Sequence, residues 1–274
     1  MTSLHRFAIA LAVLFASASA QTQAPTKLTL GVSEGTSGGL DHARVVAKYG
    51  GLAEVIGRAT KRKVQLVFAR EFTSLDEGIR SGSFDLVLAR PSDYPARAIR
   101  DHGYQFVASA RPEGHCLIIT RADSPLQSLA QSKGLRWVLP EQVSYMSKFC
   151  TAELRDQGIT VAREKIQYVR EQGAVTFYLE HRFGDIGAIA SYAGPAKSLE
   201  KSGLRVLHKS GAQPYFPLVA GKRISPEQVR AIQVELMNLS QTESGREVLK
   251  SVGIQAFATD AGERLRALLS WLGT

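Results

Sequence analysis

The polar residues of this chain are spaced to hold a small anion. Phe72, Thr73, Arg90, Ser92 and Tyr94 follow two apolar strands, Val64 to Phe68 and Phe84 to Ala89, which a short helix joins into one βαβ unit. Parallel strands in such a unit send their C-terminal loops to one sheet edge, where the ligands of open α/β sheets collect. A guanidinium, two hydroxyls and aromatic rings at that edge fit a small oxyanion better than a nucleotide. Ser144 and Ser147 open a helix, and the free N–H groups there carry roughly half a positive charge, a second seat for negative oxygen. Both serines have an alternative duty as helix caps. Glu34 and Tyr192, each just past a strand end, are further candidates; Asp185 reads as a loop or cap residue.

Cys116 and Cys150 are the only cysteines. An even count in an exported chain favours a disulfide, with two buried thiols as the alternative. His115 and Cys116 are neighbours on a strand and point to opposite faces, so they cannot serve each other as base and nucleophile. A Gly-rich phosphate loop ending in Lys-Ser/Thr and a His-Glu-x-x-His pair are both missing from the sequence. The chain is therefore read as a binder and not an enzyme, with no cofactor and no resident metal.

These residues need a frame, and the apolar pattern supplies one. Leu28 to Val32 is a strand running into the glycine-rich loop Ser33 to Gly39, and Asp41 to Thr60 repeats Val45, Val46, Tyr49, Leu52, Val55 and Ile56 at helical spacing. A helix over Ala96–His102, a strand over Tyr104–Ala108 and another over Gly114–Thr120 follow. A new alternation then begins: strand Leu135–Leu139, helix Tyr145–Gln157, strand Ile166–Val169, helix Ala174–Phe183 and strand Asp185–Ala190. Leu204–Leu207 leads to a loop with Pro214 and Pro217, a strand Leu218–Ala220, and two C-terminal helices opening at Ser225-Pro226-Glu227 and Thr242-Glu243. The expectation is two α/β lobes, Lys27–Ala110 with Lys209–Thr274 and Arg111–His208, joined by two crossings that make a hinge.

Met1 to Ala20 has a weakly basic start at His5 and Arg6, an apolar run and an Ala18-Ser-Ala20 cleavage site, which reads as a secretory signal peptide. The formal charge of +9 falls to +8 when Arg6 leaves with it. Such a surplus suits anionic solutes; export argues against nucleic acid, and the basic residues are scattered along the chain.

In order and spacing the pieces Leu28-Thr-Leu-Gly-Val32, Glu71-Phe-Thr-Ser-Leu-Asp-Glu-Gly78, Phe84-Asp-Leu-Val-Leu-Ala-Arg-Pro-Ser92, Asp123-Ser-Pro-Leu126 and Glu243-Ser-Gly-Arg-Glu-Val-Leu249 resemble the PhnD-like periplasmic substrate-binding proteins of phosphate, phosphite and phosphonate ABC transporters. The resemblance implies a two-lobed type II periplasmic-binding fold with a central cleft and two crossing strands, a periplasmic monomer, and delivery of the solute to an ABC permease. Where phosphonate binders of that family carry a Ser-Thr-Ser-Gly stretch, this chain has Ser144-Tyr145-Met146-Ser147; Phe72 stands where Tyr is frequent, and Gln172 near a frequent Gly-His pair. Those positions are thereby candidate contacts. Some PhnD-like proteins sense arsenite through a cysteine and signal to a membrane histidine kinase. His115-Cys116 at the crossing strand keeps that alternative open, since a thiolate beside an imidazole suits a soft metalloid.

Overall fold

The computed structural model describes residues 27–37 and 41–274; the signal peptide read over residues 1–20 lies outside them. The chain opens with β1 (Lys27–Ser33), α1 (His42–Thr60), β2 (Lys63–Phe68), α2 (Phe72–Arg80), β3 (Leu86–Ala89), α3 (Asp93–His102) and β4 (Gln105–Gly114). β1 lies between β2 and β3 and pairs in parallel with both, so their C-terminal ends share one edge. α1 buries Val45, Tyr49, Leu52, Val55 and Ile56, while Val46 of the expected repeat stays exposed on the flank of the stripe, and Asp41 caps its start by accepting from the Arg44 N–H at 2.8 Å. All four residues of β3 are buried, the mark of a strand covered on both faces.

After His115 the chain builds a second sheet from β5 (Cys116–Arg121), β6 (Arg136–Pro140), α4 (Tyr145–Asp156), β7 (Lys165–Val169), α5 (Gln172–Glu180), β8 (Ile186–Ala190) and β9 (Leu204–Lys209), in the order β7-β6-β8-β5-β9. It then returns through residues 210–212 to β10 (Gln213–Ala220), α6 (Pro226–Asn238), α7 (Glu243–Val252), β11 (Ala256–Ala258) and α8 (Gly262–Leu272). The first sheet so completed has the order β11-β4-β10-β3-β1-β2. The two passages between sheets run side by side and are tied together: the Cys116 N–H donates to Ser210 Oγ at 2.8 Å, and His115 Nδ1 meets the Ser210 carbonyl at 2.8 Å. Among the described residues no helix is long and apolar enough to cross a membrane.

Several elements differ from the sequence expectation. Phe72 and Thr73 form the first turn of α2 and do not belong to a loop. α3 starts at Asp93, and β4 runs on to Gly114. The stretch with Pro214 and Pro217 is not a loop but part of β10, a central strand between β3 and β4, where its register against β4 shifts at each proline and Phe216 takes a left-handed φ of 50°. Bulges are where a central strand can hold residues that lack an N–H. The tail holds three helices and a strand, because α8 packs Leu265, Leu268, Leu269 and Leu272 against α3 and α4.

Candidate functional site

The two sheets face each other across a cavity of about 10 Å³, lined by Glu34, Gly35, Thr36, Phe72, Arg90, Pro91, Ser144, Tyr145, Met146, Gln172 and Tyr192. That is room for about one water molecule. It communicates with a wider vestibule of about 240 Å³ that includes Thr73, Arg70, Glu71, Val143 and Arg170. Each lining residue sits where a strand or helix ends. Glu34 follows β1, Arg90 follows β3, and Tyr192 lies two residues beyond β8; Tyr145 and Met146 begin α4, Gln172 begins α5 and Phe72 begins α2.

Arg90 is the central cation. It is buried, forms an ion pair with Glu34 through Nε, and donates from Nη1 to the Tyr215 hydroxyl. Its guanidinium lies 4.9 Å from the centre of the Phe216 ring, 5.4 Å from Tyr215 and 5.6 Å from Tyr192, within reach of cation–π attraction. Glu34 also accepts from Lys48 Nζ at 2.7 Å and from the Tyr49 hydroxyl. Burial alone would raise the Glu34 carboxyl, but the charges of Arg90 and Lys48 outweigh it and hold the group below its ordinary range. Burial pulls the Lys48 ammonium down despite Glu34, and pushes the Tyr215 phenol up to about 12, so Tyr215 stays a neutral partner.

Across the cavity, Ser144 caps α4: its Oγ accepts from the Ser147 N–H at 3.2 Å. The amides of Tyr145 and Met146, first in the helix, have no intrahelical acceptor. The Tyr145 hydroxyl is buried beside the Ser92 hydroxyl but makes no well-formed hydrogen bond; Ser92 itself donates to the Pro214 carbonyl at 2.8 Å. Gln172 accepts from the Ala190 N–H at 2.6 Å and reaches across to Thr36 Oγ1 at 3.3 Å, joining the two sides of the cavity. Phe72, stacked on Tyr94 with ring centres 5.8 Å apart, and Met146 add apolar wall.

The structure thus brings Glu34, Phe72, Arg90, Ser144, Tyr145, Gln172 and Tyr192 together, and leaves five sequence candidates outside the cavity, among them Tyr94, which stacks on Phe72. Thr73 stands in the vestibule. Ser92 and Ser147 are buried, and His115 is spent on holding the two passages together. Asp185 pairs with Arg136 at 2.7 Å and accepts from its backbone N–H, as a cap residue does. Sequence reasoning missed Lys48, Tyr49, Thr36, Tyr215 and Phe216. A lysine beside a tyrosine, one helical turn from Val45 in the apolar repeat of α1, was the available signal for the first two.

Cys116 and Cys150 form a disulfide with Cα atoms 5.5 Å apart, joining β5 to α4. The bridge leaves no nucleophilic thiol for hydrolysis and no thiolate for a soft metalloid.

A family model described as the periplasmic phosphonate-binding protein of ABC transporters matches residues 39–261. Among solved structures the fold is similar to a Xanthomonas citri protein bound to ATP (TM-score 0.73, 16% identity, covering 91% of this chain and 98% of that one). It is similar to PhnD1 from Prochlorococcus marinus in complex with methylphosphonate (TM-score 0.73, 13% identity, 90% and 97% covered). It also resembles the binding component of an ABC phosphonate transporter from Pseudomonas aeruginosa (TM-score 0.67, 16% identity, 89% and 85% covered). The family match and the bridged sulfurs give no support to the arsenite-sensor alternative, in which Cys116 is the metalloid ligand.

Proposed function

We propose a ligand seat and a closing motion for this chain, which belongs to the family of periplasmic substrate-binding proteins of phosphonate ABC transporters. Members of that family are solute-binding components of a transporter and not enzymes, and they work with an ABC permease. The ligand is a small tetrahedral oxyanion, a phosphonate or phosphate, held between the first turn of α4 and Arg90. The observation that carries this reading is the pairing of a buried guanidinium from one sheet with the N-terminus of a helix from the other, across one cavity. Such donors are the usual means of holding an oxyanion. Phe72, Met146 and Pro91 offer an apolar wall for an alkyl substituent.

A cavity of about 10 Å³ admits no such ligand, so the lobes part before it enters. The side-by-side passages at His115 and at residues 210–212 are the natural hinge between a lobe carrying the first sheet and one carrying the second. Ligand then biases the equilibrium toward the closed form, which the permease recognises, and the protein acts as a monomer.

A thermal-shift and calorimetry panel of methylphosphonate, phosphite, phosphate and methanesulfonate tests the reading. A true ligand at about 100 times its Kd stabilises the native state by about 2.7 kcal/mol, a rise of roughly 5–10 °C for a chain of this size. If no phosphorus oxyanion shifts the melting temperature at millimolar concentration, the reading fails.

A further inference from the structure

We propose that Glu34 is the resident anion of the cleft, and that an incoming oxyanion binds by displacing its carboxylate from Arg90, so that Glu34 sets both the affinity and the charge selectivity of the site. The inference rests on the oxyanion reading above and names the residue that tunes it.

Glu34 lines the cavity, is 3% exposed, and takes contacts from three donors: Arg90, Lys48 and the Tyr49 hydroxyl. Of the three, Arg90 lines the cavity and is the group a bound oxyanion would use; Lys48 and Tyr49 do not line it and hold Glu34 in place. Three aromatic rings crowd Arg90, Nη1 is committed to Tyr215 and Nε to Glu34, so a ligand oxygen seeking the Nε edge meets the Glu34 carboxylate. The cavity beside that carboxylate is too small for a second anion. Coexistence of Glu34 with a dianion would also place three negative charges against the two cations Arg90 and Lys48, which favours exchange over addition.

Two features make exchange feasible. Arg90 meets Glu34 through Nε alone, whereas a tetrahedral anion carries further oxygens that can reach the α4 amides at the same time. Gly35, next in the chain, holds a left-handed φ of 56°, a conformation that lets the backbone turn sharply just after Glu34. Charge then decides which anions succeed. Arg90 and Lys48 present two positive charges, which a carboxylate matches by half and a dianion matches in full. A dianionic phosphonate therefore displaces Glu34, and a monoanion of the same shape does not.

Calorimetry on the mature protein with methylphosphonate and its monoanionic isostere methanesulfonate, comparing wild type with Glu34→Gln and Tyr49→Phe, tests this. Removing the competing carboxylate is expected to tighten methylphosphonate binding at least about tenfold and to bring methanesulfonate binding into range. Tyr49→Phe removes one donor that holds Glu34 in place, and is expected to tighten binding by roughly threefold, the lower end of what one hydrogen bond supplies. This milder variant keeps the test alive if Glu34→Gln folds poorly. Weaker or unchanged binding in these variants, with wild type still binding methylphosphonate, overturns the displacement idea alone and makes Glu34 a residue that orients Arg90. Absence of binding in wild type and both variants overturns the oxyanion reading and this inference with it.

Discussion

Replacing both Cys116 and Cys150 by alanine removes the one covalent tie between β5 and α4, the helix whose first turn faces the cavity. The bridge spans a sequence separation of 34, and closing a loop of that length lowers unfolded-chain entropy by an amount worth about 3.8 kcal/mol at 25 °C. For a chain of this size that corresponds to a fall in Tm of roughly 8–15 °C. Differential scanning calorimetry of oxidised wild type, wild type reduced with a phosphine, and the double variant gives the answer. Reduced protein and double variant should fall together, because both lose the crosslink, with the variant slightly lower because the deleted sulfurs were fully buried. Thiol titration of the unfolded, unreduced protein should find no reactive thiol. A reduced protein that melts within about 2 °C of the oxidised one would refute the reasoning, since that is less than 1 kcal/mol of crosslink stabilisation.

Arg90→Met should abolish measurable oxyanion binding, a loss of at least about a hundredfold, and should cost about 3–5 kcal/mol in ligand-free stability, because Glu34 stays buried with one cation fewer; urea unfolding and calorimetry check the two halves. Tyr145→Phe should weaken methylphosphonate binding about fivefold to tenfold while leaving the ligand-free Tm unchanged or slightly raised, because the hydroxyl it removes is buried without a well-formed hydrogen bond; a clear fall in the ligand-free Tm would show that the hydroxyl is already satisfied. The folded-state pKa of Glu34 is lowered, so its contribution is fully present above the ordinary value of 4.5 and is lost as pH falls through the folded value; the stability difference between wild type and Glu34→Gln should therefore shrink on acidification below pH 4.5 and stay flat above it, as urea midpoints across pH would report.

Most of the frame could be read from periodicity, because burial dictates it directly. The repeat in α1, the βαβ unit around β2 and β3, and the second alternation from β6 to β8 all follow from which side chains must leave water. Legibility failed where a residue does two things at once. Tyr49 belongs to the apolar stripe of α1, and its ring is packed against Phe216 with centres 5.9 Å apart, yet its hydroxyl ends on Glu34. Pro214 and Pro217 look like loop residues, and only the bulges of β10 reconcile them with a central strand that delivers Tyr215 and Phe216 to Arg90. α8 carried its signal in Leu265, Leu268, Leu269 and Leu272 and was missed for want of a strong start, since Ala261 makes no side-chain cap. Glu34 was visible as a strand-end residue. That it meets Arg90 depends on β1 and β3 lying side by side, which no local pattern encodes.

The contacts that span the two sheets are unequal, and the inequality indicates what holds the cleft shut. Glu71 and Arg170 are 3.5 Å apart but both exposed, so their pairing adds little. Asp93 of α3 is buried and meets Lys148 of α4 at 2.9 Å, while Trp271 of α8 donates to Asp156 at 2.7 Å and packs edge-on against Phe149. Tyr192 from the second sheet stacks on Tyr215 from the first at 4.1 Å, over the guanidinium of Arg90. If the lobes part as proposed, the stack over Arg90 breaks, and water reaching Arg90 then weakens its pairing with Glu34. On the proposed hinge motion, opening and release of the resident carboxylate would be one event, with anion exchange in the open state and selection among anions at closure.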